Sequence, residues 1–320
     1  MDLEDEKTPF VKADIIENLD DIPCPDWEQM EPNSYPLAPE GVFVKHSSIG
    51  LIITSRGCPY SCKFCSSPNF CDRKVRFRSP KNIIGEMKFL IEKYNVKEIQ
   101  FLDDNLTVKK THVEQICNFI IDNNLKISMS CPNGIRADKV DLDMIKLMKK
   151  AGFYYCALGI ESANKTILQN IDKKESIETI QSAIKMLSEN GIIASGSFIF
   201  GLPGETKETI KETMKFALTS GLERAHFGIL SILPGCDLWN DLEGKFVNNY
   251  AKKIANEPDY IPDGLTSRDL IKAQSTAFRK FYLRPKIFFK AISYVKPRQI
   301  TSFIKRLFDY RVLPSNTGRK

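Results

Sequence analysis

Apolar residues along this chain follow two spacings. Short apolar runs at 51–55, 98–102, 127–130, 154–160, 192–200 and 225–230 are rich in β-branched and aromatic residues. Runs of that kind predict strands buried on both faces. Between them the apolar residues recur at helical spacing. In segment 80–94, Ile83, Ile84, Met87, Leu90 and Ile91 share one face; segments 111–123, 141–151, 176–190 and 206–220 repeat the pattern. Several begin at Ser, Thr or Asp, and two run into Gly152 and Gly191, which suits helix caps. Consecutive strand–helix units predict a parallel sheet with right-handed crossovers. Six units are fewer than the eight of a closed barrel. The expected fold class is therefore α/β, an open, partial (β/α)6 TIM-like barrel with a C-terminal helical extension. Its site belongs at the C-terminal ends of the strands.

The flanks read differently. Residues 1–45 are acidic and then carry Pro23, Pro25, Pro32, Pro36 and Pro39, the pattern of a linker or surface strap. The barrel is expected over 46–245 and a basic helical extension over 246–320, with helices at 267–283, 286–294 and 298–309. Hydrophobic residues at 42% and charged residues at 27% exclude collagen-like, low-complexity and wholly disordered classes. No apolar stretch reaches the roughly 20 residues that cross a bilayer. The acidic start MDLEDEK lacks a signal-peptide pattern, so a cytoplasmic location is expected, with the tail able to touch a membrane surface.

The net charge of +6 is unevenly placed: residues 276–320 hold 12 Lys/Arg against the single acid Asp309. In that tail Phe278, Phe281, Tyr282, Phe288, Phe289 and Ile292 alternate with cations. Such a segment can close the open barrel, lie on an anionic membrane, or grip nucleic acid. Closure of the barrel is the expectation, membrane contact the runner-up, and nucleic acid is not an expected partner.

The nine cysteines are odd in number, and reduced thiols are expected, not a disulfide framework. Cys58, Cys62 and Cys65 follow a Cys-x3-Cys-x2-Cys spacing in the first strand-to-helix loop. Structural zinc takes four ligands and would have to add Cys71. A [4Fe–4S] cluster held by three thiolates keeps one iron open for a substrate or cofactor. Cys24, Cys117, Cys131, Cys156 and Cys236 are expected as small buried thiols.

Polar residues close the later strands. Asp103, Asp104 and Asn105 follow the second and could hold an ammonium or shape a turn. Arg136 follows the third and could take a carboxylate bidentately or form a surface salt bridge. Gly159-Ile160-Glu161-Ser162 closes the fourth. Gly201-Leu202-Pro203-Gly204-Glu205-Thr206 closes the fifth, where glycine lets backbone approach a ligand.

The cysteine loop, with Phe64 just before its last cysteine, resembles the cluster-binding motif of the radical S-adenosylmethionine (SAM) superfamily. The resemblance spans roughly residues 15–310. It implies that Cys58, Cys62 and Cys65 ligate a [4Fe–4S] cluster and that the open iron chelates SAM. One electron then cleaves SAM to methionine and a 5′-deoxyadenosyl radical, which abstracts hydrogen from a substrate. It also implies cofactor contacts from Phe64, Asp103, Asp104, Asn105, Arg136, Glu161, Ser162 and Gly201. A small-molecule or lipid-like substrate is implied, as is an electron donor of flavodoxin or ferredoxin type. The Asp-Asp-Asn, Gly-Ile-Glu-Ser and Gly-Leu-Pro-Gly-Glu-Thr set resembles the branch whose members often carry an N-terminal cobalamin domain. That branch includes the anaerobic oxidative cyclase of bacteriochlorophyll synthesis and C-methyltransferases.

None of His46, His112 and His226 sits in the Asp-x-His-x-x-Gly motif that ligates cobalamin in that domain. Either the chain works without cobalamin, or it is a piece of a longer enzyme or partners a cobalamin protein. The alternatives are a cobalamin-dependent C-methyltransferase and a non-catalytic zinc or iron–sulfur module. Cys236 is a departure, standing where this group commonly has threonine after Pro-Gly.

Overall fold

The protein is described by a computed structural model covering residues 15–34, 44–247, 257–295 and 300–301. Among the described residues eight strands form: β1 (Ile49–Ile52), β2 (Ser55–Arg56), β3 (Arg76–Phe77), β4 (Glu98–Phe101), β5 (Ser128–Ile135), β6 (Phe153–Glu161), β7 (Ile193–Phe200) and β8 (Arg224–Ile229). Six of them make one sheet in the order β1-β4-β5-β6-β7-β8, and every neighbouring pair is parallel. β2 and β3 pair separately and antiparallel. The architecture is the expected open, partial TIM-like barrel.

Two strands depart from their predicted bounds. The first run splits after Ile52, because the amides of Thr54 and Ser55 turn to the Asp103 carboxylate instead of a sheet neighbour. β5 runs on to Ile135 through Pro132, with its register against β6 slipping between Cys131 and Ile135. Proline has no amide to donate, so the ladder is interrupted there.

The described α-helices are α1 (Ser67–Phe70), α2 (Pro80–Tyr94), α3 (Lys110–Asp122), α4 (Leu142–Ala151), α5 (Lys165–Asn170), α6 (Ile177–Glu189), α7 (Lys207–Thr219), α8 (Asp237–Asp241), α9 (Ser267–Tyr282) and α10 (Pro285–Tyr294). The side chains of Ser79, Asp141, Ser176 and Thr206 accept first-turn amides at the starts of α2, α4, α6 and α7. Each such cap contributes about 1 kcal/mol. Gly152 ends α4 at φ +118, where an added Cβ would stand 2.3 Å from the Ile127 carbonyl oxygen. Only glycine fits both constraints.

The apolar faces of α2, α3, α4, α6 and α7 join the sheet in one core. A second cluster, Ile167, Leu168, Ile171, Leu202, Leu230 and Ile232 among others, includes the C-terminal ends of β7 and β8, with Phe64 packed against it. The described part of the N-terminal strap crosses β3 and α2. Trp27 donates to Glu86 at 3.0 Å, Glu86 pairs with Arg78 at 2.6 Å, and the Ser79 amide donates to Asp20 at 2.8 Å.

At the other edge, α9 covers β8. Its Leu270, Gln274, Ala277, Phe278 and Phe281 are buried. Phe278 and Phe281 pack edge-on against Phe227 of β8. Gln274 donates to the Phe227 carbonyl at 2.8 Å, and the Tyr282 hydroxyl donates to the Ala225 carbonyl at 2.8 Å while accepting its amide at 3.2 Å. An open edge strand needs such partners for its outward main-chain groups. The expectation that the tail closes the barrel therefore holds for α9. The predicted helix at 298–309 lies outside the described residues except for 300–301.

Phe281 is fully buried, so Phe281→Ala should lower stability by about 3–5 kcal/mol. Phe289→Ala, on α10, should stay within about 0.5 kcal/mol of the native protein. Urea unfolding of the two variants measures both, and equal effects would mean that α9 is not part of the core.

Candidate functional site

The cysteine loop runs from Gly57 to Ser66 without regular secondary structure, at the C-terminal mouth of the sheet. Cys58, Cys62 and Cys65 are all half-buried there, with the Cys65 amide on the Cys62 carbonyl at 3.0 Å. Cys65 is near enough to both partners for its charge to raise their pKa values. Burial is the larger cause throughout, and it pushes Cys62 up to about 11. Among the described residues no three His, Cys, Asp or Glu side chains are placed to hold a single metal ion. A single zinc ion needs its sulfurs within about 2.3 Å of one point. A four-iron cube takes one sulfur per iron, so its ligands stand further apart. Cys71 caps α1, with its Cβ 3.0 Å from where a Cβ on Gly57 would lie.

Partners on several elements hold the loop. Asp104 accepts from the Gly57 amide and the Ser67 hydroxyl, both at 2.9 Å, and so ties the two flanks together. Gly57 has φ +98, and a side chain there would meet the Lys74 carbonyl oxygen at 2.1 Å. The Lys63 amide donates to the Ile171 carbonyl at 3.0 Å, and the Lys63 carbonyl accepts from Leu238 at 2.9 Å. The Arg136 guanidinium lies 3.8 Å from the centre of the Tyr60 ring, a cation–π contact between the first two cysteines.

Asp103 is buried and accepts the amides and hydroxyls of both Thr54 and Ser55, the hydroxyls at 2.7 and 2.6 Å. Burial raises its pKa while those donors lower it. Thr54 uses its one hydroxyl proton on Asp103, so His112 Nε2, 3.1 Å away, is the donor in their bond. Burial lowers His112 to about 4, which keeps the ring neutral. Asn105 caps the turn at Leu106–Val108, and its Nδ2 is buried with no partner among the described residues. The acidic run at this strand end thus braces the cysteine loop through Asp103 and Asp104.

The other expected positions take varied roles. Arg136 is buried, not at the surface, and pairs with Asp138 at 2.8 Å and with the Lys173 carbonyl at 3.4 Å. Glu161 ends β6 at φ +63, a left-handed conformation that costs a non-glycine residue roughly 1–2 kcal/mol. Its carboxylate stands 3.3 Å from the buried Lys173 ammonium, which lies 3.2 Å from Glu175 on its other side. A methyl group on Gly159 would stand 2.6 Å from Glu161 Oε1 and 3.1 Å from Lys173 Nζ, so a side chain there would have to push this pair aside.

Ser162 faces α7, paired with the Thr213 hydroxyl at 3.2 Å and capping the Asn164 amide. Gly201, at φ +88, donates its amide to Glu205 at 2.5 Å. Phe64 anchors the loop in the second cluster. Cys117, Cys131, Cys156 and Cys236 are buried as expected, but Cys24 is exposed, with its sulfur 3.8 Å from Arg78. It lies in the strap, which covers α2 without enclosing it.

Lys173 and Glu175 were not anticipated as site residues. The run Asp172-Lys173-Lys174-Glu175 has the look of a solvated charge run. The turn after α5 instead buries Lys173 and Glu175 and leaves Lys174 exposed.

Glu205 gives a test of the Gly201 turn. Its Oε1 has no partner among the described residues, and burial pushes the carboxyl up to about 8. The folded state favours the protonated acid. This contribution to stability is present in full below about pH 4 and is lost as pH rises through the folded value. Native protein should therefore lose up to a few kcal/mol relative to Glu205→Gln between about pH 5 and pH 9. Urea midpoints across that range measure it, and parallel pH profiles would contradict it.

Known proteins place this geometry. The family model described as the Radical SAM superfamily matches residues 52–217, more than half of the chain. An uncharacterized methyltransferase of Pyrococcus horikoshii is 34% identical over 283 residues, covering 87% of this chain and 59% of that protein. The anaerobic magnesium-protoporphyrin IX monomethyl ester cyclase of Rubrivivax gelatinosus is 29% identical over 269 residues, covering 84% of this chain and 47% of that protein. Among solved structures, the radical SAM methyltransferase TsrM of Kitasatospora setae, with cobalamin and a [4Fe–4S] cluster bound, matches with a TM-score of 0.57 at 18% identity. That match covers 61% of this chain and 36% of that one, and at such identity it is a likeness of fold. The chain spans about half the length of the curated relatives it matches. A loop of three cysteines at the mouth of a six-stranded parallel sheet and the family match agree: this chain belongs to the radical SAM superfamily, whose members use a [4Fe–4S] cluster and SAM.

Proposed function

We propose that Cys58, Cys62 and Cys65 hold a [4Fe–4S] cluster and that SAM lies beside it over the strand ends. The observation that carries this reading is the loop geometry: three half-buried thiols on one loop, pinned by Asp104, Ile171, Leu238 and Arg136. When bound, the cluster supplies the electron that cleaves SAM to methionine and a 5′-deoxyadenosyl radical able to take hydrogen from an unactivated carbon.

The chain's own residues bind and orient. Cys62 is a neutral thiol without metal, so ligation displaces its proton and iron uptake improves as pH rises. The charges of Lys173 and Arg136 act on that thiol, and both favour its anionic form. Glu161 and Lys173 present one carboxylate and one ammonium 3.3 Å apart. An amino-acid headgroup carries the complementary pair of charges and can exchange into this ion pair. Asn105, with a spare buried N–H, offers a further donor. The Gly201 turn brings backbone close to the mouth. The apolar cluster that includes Phe64 keeps water from the inner side of the loop.

The substrate is proposed as a small molecule and the electron donor as a separate protein of flavodoxin or ferredoxin type. A second reading is cobalamin-dependent methyl transfer, with the cobalamin module on a preceding segment or a partner. The curated relatives favour it: several are named methyltransferases, and this chain spans about half their length.

Anaerobic reconstitution with iron, sulfide and SAM should give about four irons per chain. Adding a reductant should yield 5′-deoxyadenosine by mass spectrometry; S-adenosylhomocysteine on adding cobalamin would favour the second reading. Cys62→Ala should lose the iron and the cleavage together, while Cys71→Ala keeps both. One zinc per chain that depends on Cys71 would overturn the assignment.

A further inference from the structure

We propose that α10 is a membrane-contact helix that lays an apolar face on an anionic lipid surface. α9 buries its apolar residues against β8, but α10 buries only Ile287 among its described side chains. Phe288, Phe289 and Ile292 stand exposed at helical spacing, Phe289 at 70%. On a helix these positions form one continuous stripe. Lys286 flanks it in solvent, and Lys290, on the same side, pairs with Glu223.

The choice of occupant rests on charge. No acid occurs between Asp269 and Asp309, and residues 276–320 carry 12 Lys/Arg against one acid. A basic helix with bulky apolar residues exposed matches the interface of an anionic bilayer, where cations meet headgroups and aromatics enter the acyl boundary. A second copy of the chain would bring two basic faces together, which repel. Nucleic acid phosphates would take the lysines and leave the stripe in water. No described helix is long and apolar enough to span a membrane, so the contact lies along the surface.

The position of α10 sets the orientation. Arg284 donates to the Leu218 carbonyl at 2.6 Å and the Leu222 carbonyl at 3.4 Å, and Glu223 directly precedes β8. The helix therefore sits at the N-terminal ends of the strands, opposite the mouth that carries the cysteines. A chain held this way keeps its mouth turned from the lipid and open to solution. The inference is independent of what the cysteines bind.

Flotation of the full chain with vesicles tests it. The protein should bind vesicles of phosphatidylglycerol and phosphatidylcholine in equal parts, bind phosphatidylcholine alone weakly, and release as salt rises. Phe289→Glu should weaken binding about tenfold or more, and Lys286→Glu by less. Both variants should keep native thermal melts, because both side chains are exposed. Absence of binding to the anionic vesicles overturns the proposal. So does undiminished binding of Phe289→Glu, which would mean attraction by charge alone. A dimer in sedimentation equilibrium that Phe289→Glu abolishes, without vesicle binding, would assign the face to self-association and equally overturn it.

Discussion

The residues between β2 and α1 form no helix or strand, so their main-chain groups must find partners on other elements. Three cysteines on such a loop can serve one centre only if the loop is held from outside. The structure does this from several directions at once. Asp104 gathers the two flanks, Ile171 and Leu238 take the middle peptide groups, and Arg136 lies on Tyr60. Each partner sits after a different strand of the sheet. The barrel is therefore the frame that brings these anchors to one place.

The same logic explains a buried ion network. Glu161, Lys173, Glu175 and Arg136 would each be costly to bury alone. Together they pair carboxylates with cations, and Glu175 also accepts the Ala137 amide at 2.8 Å. The network joins the ends of β5 and β6 to the turn after α5, which in turn holds Lys63 of the cysteine loop. A left-handed Glu161 and a glycine at 159 are local prices of that arrangement. They occur together where the chemistry is proposed, as strained positions often do.

Much of this was legible in the chain. Helix starts at Ser79, Asp141, Ser176 and Thr206 follow from capping chemistry that acts within four residues. The strands followed from apolar runs long enough to be buried on both faces. The cysteine spacing pointed to a metal centre because the three candidate ligands share one loop. What escaped the reading depends on long-range partners. Asp103 and Asp104 were expected to hold an ammonium or shape a turn, and the donors that reach them from Thr54, Ser55, Gly57 and Ser67 lie between 37 and 49 residues away in sequence. Lys173 went unmarked because its burial depends on where β5 and β6 end. Cys24 looked buried by residue type, but a strap on the outside of α2 leaves one side in water. Ser162 sits inside a motif yet serves α7, a contact that spacing along the chain does not reveal.

The central claim is that three thiolates hold a four-iron cluster with one iron left for SAM. Mössbauer spectroscopy of the iron-57 protein, reconstituted without oxygen, tests it most directly. Adding SAM should change the parameters of a single iron among the four and leave the other three as they were. Spectra that do not respond to SAM, or a cluster that Cys62→Ala leaves intact, would contradict the account.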